Sequence, residues 1–251
     1  MPRTMLSDEH WSKLKPILLD LNIYNKPNLR NIFEGILFRM RVGCPWRDIP
    51  EAFGSSNTIF KAFRRWSKNN KILKVFKKLI DEPDVEWIFM DASHVRAHQH
   101  SAGAFNSENQ AISKSAGGNT SKIHLLVDAH GNPLEFIISD GTTHDVKIAP
   151  YLINLVDLKE TQIVCTDKGY DSESLRNQIK STATQANIPK KRNSKSDNDH
   201  MDWYIYKIRH LVENAFAKLK NFRGIATRFD KLKQSFESNV ALACAYLWLK
   251  L

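Results

Sequence analysis

The stretch Trp87-Ile88-Phe89-Met90-Asp91 decides the fold class, because the apolar spacing there changes from helical to strand-like. A second apolar run, Ile163-Val164-Cys165-Thr166-Asp167, has the same form and also ends at an aspartate. Residues 121–139 indicate two strands joined through the turn His130-Gly131-Asn132. Residues 101–120, rich in Ser, Ala, Gly and Asn, are expected to form a mobile loop. Helical stretches alternate with these strands, so we predict an α/β fold from residue 83 onward.

Both apolar runs place an aspartate at the C-terminal end of a predicted strand. Parallel sheets commonly present active-site groups at that edge. An aspartate after a strand is also a common turn residue, and a turn is the simpler explanation for Asp91 or Asp167 taken separately.

Residues 1–82 are expected to form an all-α domain ahead of the α/β domain of residues 83–251. Ser7 predicts the N-cap of a first helix. The apolar spacing of residues 29–40, followed by Gly43 as C-cap, predicts a second helix. A short helix at residues 46–53, a turn at Gly54 and a longer helix then follow. This order is typical of a helix-turn-helix domain.

The longer helix would expose side chains of the types that contact phosphates and base edges in a major groove. An ordinary helical bundle explains the same pattern, but the positive charge of the segment favours contact with DNA. The residues expected to make this contact are Asn57, Lys61, Arg64, Arg65 and Lys68.

The net charge of +10 is unevenly distributed along the 251 residues. Residues 1–80 contain 16 Lys and Arg against 6 Asp and Glu, residues 81–189 contain 8 against 15, and residues 190–251 contain 13 against 6. Two basic regions around an acidic one suit a protein that binds a polyanion and holds cations in its middle. For any single cluster, a solvated helix face is the simpler interpretation.

Several classes of protein are excluded by composition. The three cysteines, Cys44, Cys165 and Cys244, fit neither a disulfide framework nor a zinc motif. The chain has no run of eighteen apolar residues, and its first residues lack the features of a signal peptide. We therefore expect a soluble intracellular protein with no membrane segment.

A helix predicted at residues 202–222 carries a polar stripe next to its apolar face. Tyr206, Arg209, Glu213 and Lys220 are spaced three, four and seven residues apart, and about 100° per residue places them within roughly 60° of one another. The stripe is consistent with a cleft. An exposed salt bridge between Arg209 and Glu213 explains it equally well.

These four residues match without a gap the signature Tyr-x2-Arg-x3-Glu-x6-Lys, and the chain resembles the DDE transposases of bacterial insertion sequences, specifically insertion-sequence family five. The run Asp91-Ala-Ser-His-Val-Arg-Ala-His-Gln-His100 is similar to the first-aspartate block of that family, and Thr166-Asp167-Lys168-Gly169-Tyr170-Asp171 to its second. The resemblance covers nearly the full length. It implies a ribonuclease-H-like core, a mixed sheet flanked by helices, preceded by a helical domain of the helix-turn-helix type.

The resemblance also implies a function. The chain would bind the terminal inverted repeats of an insertion sequence and catalyse metal-dependent strand cleavage and strand transfer. Asp91, Asp167 and Glu213 would be the catalytic residues and the ligands of Mg²⁺, for which Mn²⁺ would substitute, because hard divalent cations prefer carboxylate oxygens. Two such ions would activate the attacking oxygen and stabilise the leaving one.

Other residues would bind DNA under this interpretation. Arg209 and Lys220 would hold phosphates, and Tyr206 would stack on or hydrogen-bond the terminal nucleotides. The expected partners are double-stranded DNA, as transposon ends and as target, and a second copy of the chain, as a homodimer on DNA. The expected location is the bacterial cytoplasm, at the nucleoid when the protein is bound to DNA.

Three further clusters of polar residues have a functional and a structural interpretation. The run Lys190-Lys191-Arg192 is expected to contact DNA, because it precedes the glutamate helix. His94, His98 and His100 are spaced along an extended segment without a cysteine, which fits backbone contact or plain surface better than zinc. The pair His144-Asp145 stands where a helix begins, and capping explains it better than catalysis.

Two other functions share these features. A domesticated DNA-binding protein could retain the fold without cleaving, although the complete acidic triad argues against it. A ribonuclease-H-like nuclease or junction resolvase would use the same metal chemistry, but it needs neither a basic helical domain nor the tyrosine-to-lysine signature. Inverted repeats and a short target duplication around the gene would favour a transposase over both.

Overall fold

The computed structural model describes residues 2–103, 110–192, 194 and 197–251, which form two compact units. Unit 1 comprises Met1–Asp81, Arg96–Gln110 and Leu219–Leu251, and unit 2 comprises Glu82–Val95 and Ala111–Lys218. In the described part of the chain, no helix has the length and apolar character needed to cross a membrane.

Unit 1 begins with four helices: α1 (Asp8–Asp20), α2 (Leu29–Val42), α3 (Ser56–Lys68) and α4 (Lys71–Leu79). The N-cap predicted at Ser7 is confirmed, because its hydroxyl accepts a hydrogen bond from the His10 amide at 3.1 Å. The C-cap predicted at Gly43 is also confirmed, since this residue has the left-handed φ of 72° that ends many helices.

The short helix predicted at residues 46–53 is wrong. Two 3₁₀ turns, Trp46–Asp48 and Glu51–Phe53, replace it. Pro50 lies between them, has no amide hydrogen to donate, and holds Ile49 in an extended conformation. Gly54 then takes a φ of 100°, and Ser55 is the N-cap of α3.

The end of the chain completes unit 1 with α9 (Arg223–Ala226), a short strand β7 (Thr227–Arg228) and α10 (Lys233–Trp248). Helix α10 packs against α4, α3 and α2, and most of its side chains are buried. A buried ion pair joins α2 to the segment before α10, where Arg39 Nη2 lies 3.1 Å from Asp230 Oδ1. Asn239 of α10 donates a second hydrogen bond to Asp230 at 2.6 Å.

The sheet is mixed, as predicted. In addition to β7, its strands are β1 (Trp87–Ala97), β2 (Ser113–Ser115), β3 (Gly118–Val127), β4 (Pro133–Asp140), β5 (Ile163–Cys165) and β6 (Gln185–Asn187). The strand order is β2-β3-β1-β5-β6, with β4 beside β3 and β7 beside the last residues of β1. Strands β1 and β5 are parallel, as are β5 and β6, whereas β3 is antiparallel to both β2 and β4.

Two expectations about the strands are wrong. The first strand continues past Asp91 to Ala97, because Val95 and Ala97 are buried whereas His94 and Arg96 are exposed, the alternation of a strand with one covered face. The loop expected at residues 101–120 contains β2 and the start of β3. Within it, residues 104–109 lie outside the described residues.

The hairpin prediction is confirmed, with a tight turn between β3 and β4. The Asp128 carboxylate accepts hydrogen bonds from the amides of His130 and Asn132, at 3.0 and 2.7 Å. Gly131 between them has a φ of 80°, and a Cβ there would lie 3.1 Å from the Leu211 carbonyl oxygen. Glycine is therefore required by both conformation and space.

Unit 2 contains α5 (Asp145–Ile153), α6 (Glu173–Lys180), α7 (Trp203–Ile208) and most of α8 (His210–Lys220). The single helix predicted at residues 202–222 is thus divided at Arg209. The Arg209 amide donates to the Tyr206 carbonyl at 3.2 Å, and the Val212 amide donates to the Arg209 carbonyl at 3.1 Å. Each of these hydrogen bonds spans three residues, as in a 3₁₀ helix, and together they tighten the backbone at Arg209.

Candidate active site

The guanidinium group of Arg209 joins two of the three predicted acids. Its Nη1 donates to Asp91 Oδ2 at 2.9 Å, and its Nη2 forms a short hydrogen bond to Glu213 Oε1. Asp91 lies in the middle of β1, 118 residues before Arg209, and Glu213 lies one turn along α8. The fold therefore brings a strand carboxylate and a helix carboxylate to one cation.

Asp91 occupies a partly dehydrated position. Its side chain is 21% exposed, against 53% for Glu213. Burial raises the pKa of Asp91, and nearby Asp167 raises it as well, whereas the Ala92 amide and Arg209 lower it. The pKa of Arg209 is raised, because Asp91 and Glu213 together outweigh its burial. The ionised form of Asp91 is therefore disfavoured by burial, and additional positive charge nearby would stabilise it.

Asp167 lies two residues after β5, which is the parallel neighbour of β1. Its carboxylate accepts a hydrogen bond from the Gly169 amide at 2.8 Å and caps the 3₁₀ turn Lys168–Tyr170. The prediction that Asp167 follows a strand end is confirmed. Asp167 also adds to the raised pKa of Asp91, because the two negative charges repel each other.

Tyr170, in the motif around Asp167, is a residue for which the sequence predicts no role. Its side chain is 1% exposed, and among the described residues its hydroxyl has no hydrogen-bond partner. Burial raises the pKa of Tyr170 well above its usual value, and Asp145, Asp91 and Asp167 add to the effect. A buried hydroxyl near three acids cannot be identified from spacing alone, because the tyrosine itself is an ordinary core residue.

The rest of the polar stripe is divided between the two units. Tyr206 is half-buried, and its ring lies 5.8 Å from the Arg209 guanidinium and 5.7 Å from the Trp203 ring. Lys220 is the last residue of α8, belongs to unit 1, and has a pKa that burial lowers. The predicted roles of both residues remain predictions.

The candidate metal ligands have suitable chemistry. Asp91, Asp167 and Glu213 offer only carboxylate oxygens, which hard divalent cations prefer. Within the described ranges, no group of three His, Cys, Asp or Glu side chains is arranged closely enough to hold a metal. The positive charge between Asp91 and Glu213 is that of Arg209.

The run Lys190-Lys191-Arg192 lies in the loop that follows β6. Contacts with neighbouring residues hold this loop in place. The Lys191 amide donates to Asp171 Oδ2 at 2.9 Å, and Arg176 fixes Asp171 through a 2.8 Å ion pair. The Lys190 ammonium lies 3.7 Å from Glu173 and is mostly covered, whereas Lys191 and Arg192 are exposed. Only the latter two present free surface for the predicted DNA contact.

The predicted histidine cluster is spread over different partners. His94 Nε2 lies 3.1 Å from the Gly141 carbonyl oxygen. His98 accepts a hydrogen bond from the His100 amide at 3.3 Å, and its ring packs 5.0 Å from that of Phe229. These contacts are those of histidines that belong to the local structure.

The pair His144-Asp145 begins α5, as predicted. The His144 side chain makes no capping hydrogen bond. Asp145 instead accepts a 2.8 Å hydrogen bond from the buried ammonium of Lys122. His124, on the same strand as Lys122, lies 3.8 Å from Asp145, and burial lowers its pKa to about 4. The contacts among Lys122, His124 and Asp145 were not predicted from the sequence, because they join a strand to a helix in three dimensions.

The predicted DNA-contacting face of α3 is exposed. Buried Ile59, Phe63 and Trp66 hold the opposite face in the core of unit 1. Asn57, Lys61, Arg64, Arg65 and Lys68 are all exposed, as the periodicity predicted.

Comparison with protein families identifies the family of the chain. A family model described as "Transposase DDE domain" matches residues 85–248, which include all three acids. A second model, described as "Putative transposase of IS4/5 family", matches residues 6–76.

Individual relatives match about half of the chain. A "Putative transposase for insertion sequence element IS6501" from Brucella ovis is 37% identical over 131 residues, which are 52% of this chain and 99% of that protein. A "Putative transposase for insertion sequence element IS402" from Burkholderia cepacia is 27% identical over 136 residues, 51% of this chain and 62% of that one. The solved Mos1 transposase paired-end complex covers 89% of this chain and 81% of its own at 10% identity, but its TM-score of 0.29 carries no argument about the fold.

Proposed function

The chain belongs to the family of transposase DDE domains, and from this premise we propose that Asp91, Asp167 and Glu213 are its catalytic carboxylates. The general activity of the family is DNA cleavage and strand transfer. The observation that carries the proposal is the shared guanidinium of Arg209, which gathers Asp91 and Glu213 at one point. Asp167, on the neighbouring parallel strand, is close enough to raise the pKa of Asp91.

Divalent metal ions are part of the chemistry of this family, and we propose Mg²⁺, with Mn²⁺ as a substitute. The fit rests on the all-oxygen donor set and on the raised pKa of Asp91, which a nearby cation would lower. Bound ions would supply activation of water or a 3′-hydroxyl and neutralisation of the leaving oxygen. Asp91, Asp167 and Glu213 are the residues that would hold them.

The other residues of the site position DNA and the carboxylates. Arg209 orients Asp91 and Glu213 and keeps part of its guanidinium for a phosphate. Tyr206, beside Arg209, would stack on a terminal nucleotide, and Lys220 would hold a phosphate further along. The loop residues Lys191 and Arg192 would contact the backbone of the same DNA.

We also propose the remaining partners that the family implies. The terminal inverted repeats of an insertion sequence and a target duplex would be the DNA substrates, and a homodimer would hold two ends. A ribonuclease-H-like core for unit 2 is supported by its mixed sheet, and a DNA-binding role for residues 1–82 by the exposed basic face of α3. The protein would then act at the nucleoid.

A cleavage assay on duplexes that carry the element's own ends tests this function. Asp167→Asn should abolish cleavage in Mg²⁺ while the affinity for the ends stays near that of the wild type. Asp157→Asn is the matched control, because Asp157 is an exposed carboxylate of unit 2. Cleavage by Asp167→Asn at the wild-type rate would remove Asp167 from the site. Failure of the wild type to cut under any ionic condition would favour a DNA-binding protein without cleavage.

A further inference from the structure

A wide cavity of about 770 Å³ lies within unit 1, between the exposed face of α3 and the first turn of α10. The two walls come from opposite ends of the chain, since α3 ends at Lys68 and α10 begins at Lys233. Sequence patterns identified the first wall but not the second.

The cavity is strongly basic. Its lining contains five cationic side chains, Lys61, Arg64, Arg65, Lys68 and Lys233, and one carboxylate, that of Glu237. Glu237 is already 3.5 Å from Lys233 in an i,i+4 ion pair. Among the described residues, none of the four α3 cations has a carboxylate within 4.0 Å. Their charge is left for something outside the protein.

The first turn of α10 adds backbone donors to the same cavity. The Lys233 amide is held by Gln110 Oε1 at 2.7 Å. In the described part of the chain, the amides of Gln234 and Ser235 have no acceptor. A sixteen-residue helix carries a partial positive charge at this end, so its free amides favour an anion.

The amide side chains of the cavity, Gln110 and Gln234, are engaged by the protein. Gln110 holds the Lys233 amide, and Gln234 Nε2 donates weakly to the Lys68 carbonyl at 3.4 Å. Amide side chains read adenine edges, whereas helix amides bind phosphate whatever the base sequence, and Lys and Arg bind phosphates as well as guanine edges. The free amides at the start of α10 therefore favour the backbone as the ligand of the cations beside them.

We propose that this cavity binds the phosphodiester backbone of duplex DNA, with Lys233 and the start of α10 as one wall and the basic face of α3 as the other. The proposal rests on the proposed function for its choice of DNA over a free phosphate. It assigns the α3 cations of the cavity to the backbone alone, where the sequence pattern predicted contact with both phosphates and base edges. Binding through the cavity is thus independent of base sequence and strongly dependent on salt.

Fluorescence anisotropy with labelled duplexes, in EDTA so that no cleavage occurs, tests this proposal. Lys233→Gln and Arg64→Gln should each weaken binding about fivefold at 0.15 M salt and reduce the salt slope by about 0.9, the contribution of one phosphate contact. The loss should be equal for the element's end and for an unrelated duplex of the same length. Lys159→Gln, which removes an exposed charge from unit 2, should bind as the wild type does.

Three outcomes would overturn the proposal. The first is binding by Lys233→Gln with the affinity of Lys159→Gln, with unchanged thermal unfolding in both. The second is weaker binding by Arg64→Gln to the element's end alone, which would return α3 to base reading. The third is a larger rise in unfolding temperature with inorganic phosphate for the wild type than for Lys233→Gln while DNA affinity is unaffected, which would indicate a site for free phosphate.

The result is separable from the test of the active site. Binding in EDTA does not depend on Asp167, so the cavity variants can be compared in an Asp167→Asn background. If Asp167→Asn still cuts DNA and Lys233→Gln binds weakly, the carboxylate assignment fails and the cavity stands. If Asp167→Asn is inactive and Lys233→Gln binds normally, the cavity fails and the active site stands.

Discussion

The candidate active site of unit 2 and the basic cavity of unit 1 have opposite charge imbalances. In the active site, Arg209 is shared by Asp91 and Glu213, and Asp167 adds negative charge nearby. In the cavity, five cations surround one carboxylate, Glu237, which is already paired. A site that lacks cations suits metal-dependent chemistry, and one that lacks anions suits a nucleic-acid backbone. Each unit thus has charge left for a different component of the same reaction.

The largest effect should come from neutralising a carboxylate of the active site. Glu213→Gln keeps an oxygen that can accept from Arg209 but loses the charge that a cation requires. We expect cleavage to fall by about 10⁴-fold, the scale seen when a catalytic group is removed. Single-turnover cleavage of a pre-bound end measures it. A fall of less than tenfold would contradict a catalytic role for Glu213 and would indicate that its role is to pair with Arg209.

Removal of Asp230, which lies in unit 1 with the basic cavity, should produce the largest change in the free energy of unfolding. Asp230→Ala leaves Arg39 buried without its partner, since both side chains are less than a tenth exposed. Loss of one partner from a buried pair costs about 3–5 kcal/mol. Urea unfolding measures the free energy. Asp8→Ala, which breaks the exposed pair with Arg30, is the control and should cost about 1 kcal/mol or less.

Arg209→Ala should separate the orienting role of the guanidinium from metal binding. Arg209 lowers the pKa of Asp91, so its removal raises that pKa further. Because catalysis requires the ionised carboxylate, the acidic limb of the pH–rate profile should move to higher pH. Loss of a residue that orients metal ligands costs roughly 10- to 100-fold in activity. A fall in rate with an unshifted profile would contradict the electrostatic part of this account.

The smallest effect concerns the scaffold of unit 2. Burial lowers the pKa of His124 to about 4, from 6.5, so between these values the unfolded chain binds a proton that the folded chain does not. The stability that comes from keeping His124 neutral is fully present above pH 6.5 and is lost as the pH drops toward 4. At pH 5.5 the loss is about 1.2 kcal/mol relative to neutral pH. Urea unfolding of His124→Gln should show a flatter dependence on pH than the wild type, and equal slopes would refute the assignment.

The parts of the fold predicted from sequence are those set by local chemistry. The cap at Ser7, the left-handed Gly43 and the Gly131 turn each follow from one residue type in one conformation. The full length of β1 was missed because its second half is covered on only one face. The division at Arg209 of the helix that carries Glu213 was missed because only the spacing of the backbone hydrogen bonds changes there, from four residues to three.

The candidate site was predicted by family signature more than by physics. Spacing placed Arg209 and Glu213 on one helix face, but nothing local connects either to Asp91, which is 118 residues from Arg209. Tyr170 and the second wall of the cavity were missed for the same reason, since contacts between distant segments leave no period in the sequence. Such contacts are visible only in three dimensions.

The most direct test of the central claim, that the three acids form one metal-dependent site, is cleavage by Asp167→Cys in different metals. Thiolate is a poor ligand for Mg²⁺ and a better one for softer divalent ions. The account predicts that Asp167→Cys is inactive in Mg²⁺ and regains part of its activity in Mn²⁺, whereas the wild type is active in both. Equal activity of the variant in Mg²⁺ and Mn²⁺, at or near the wild-type rate, would contradict it.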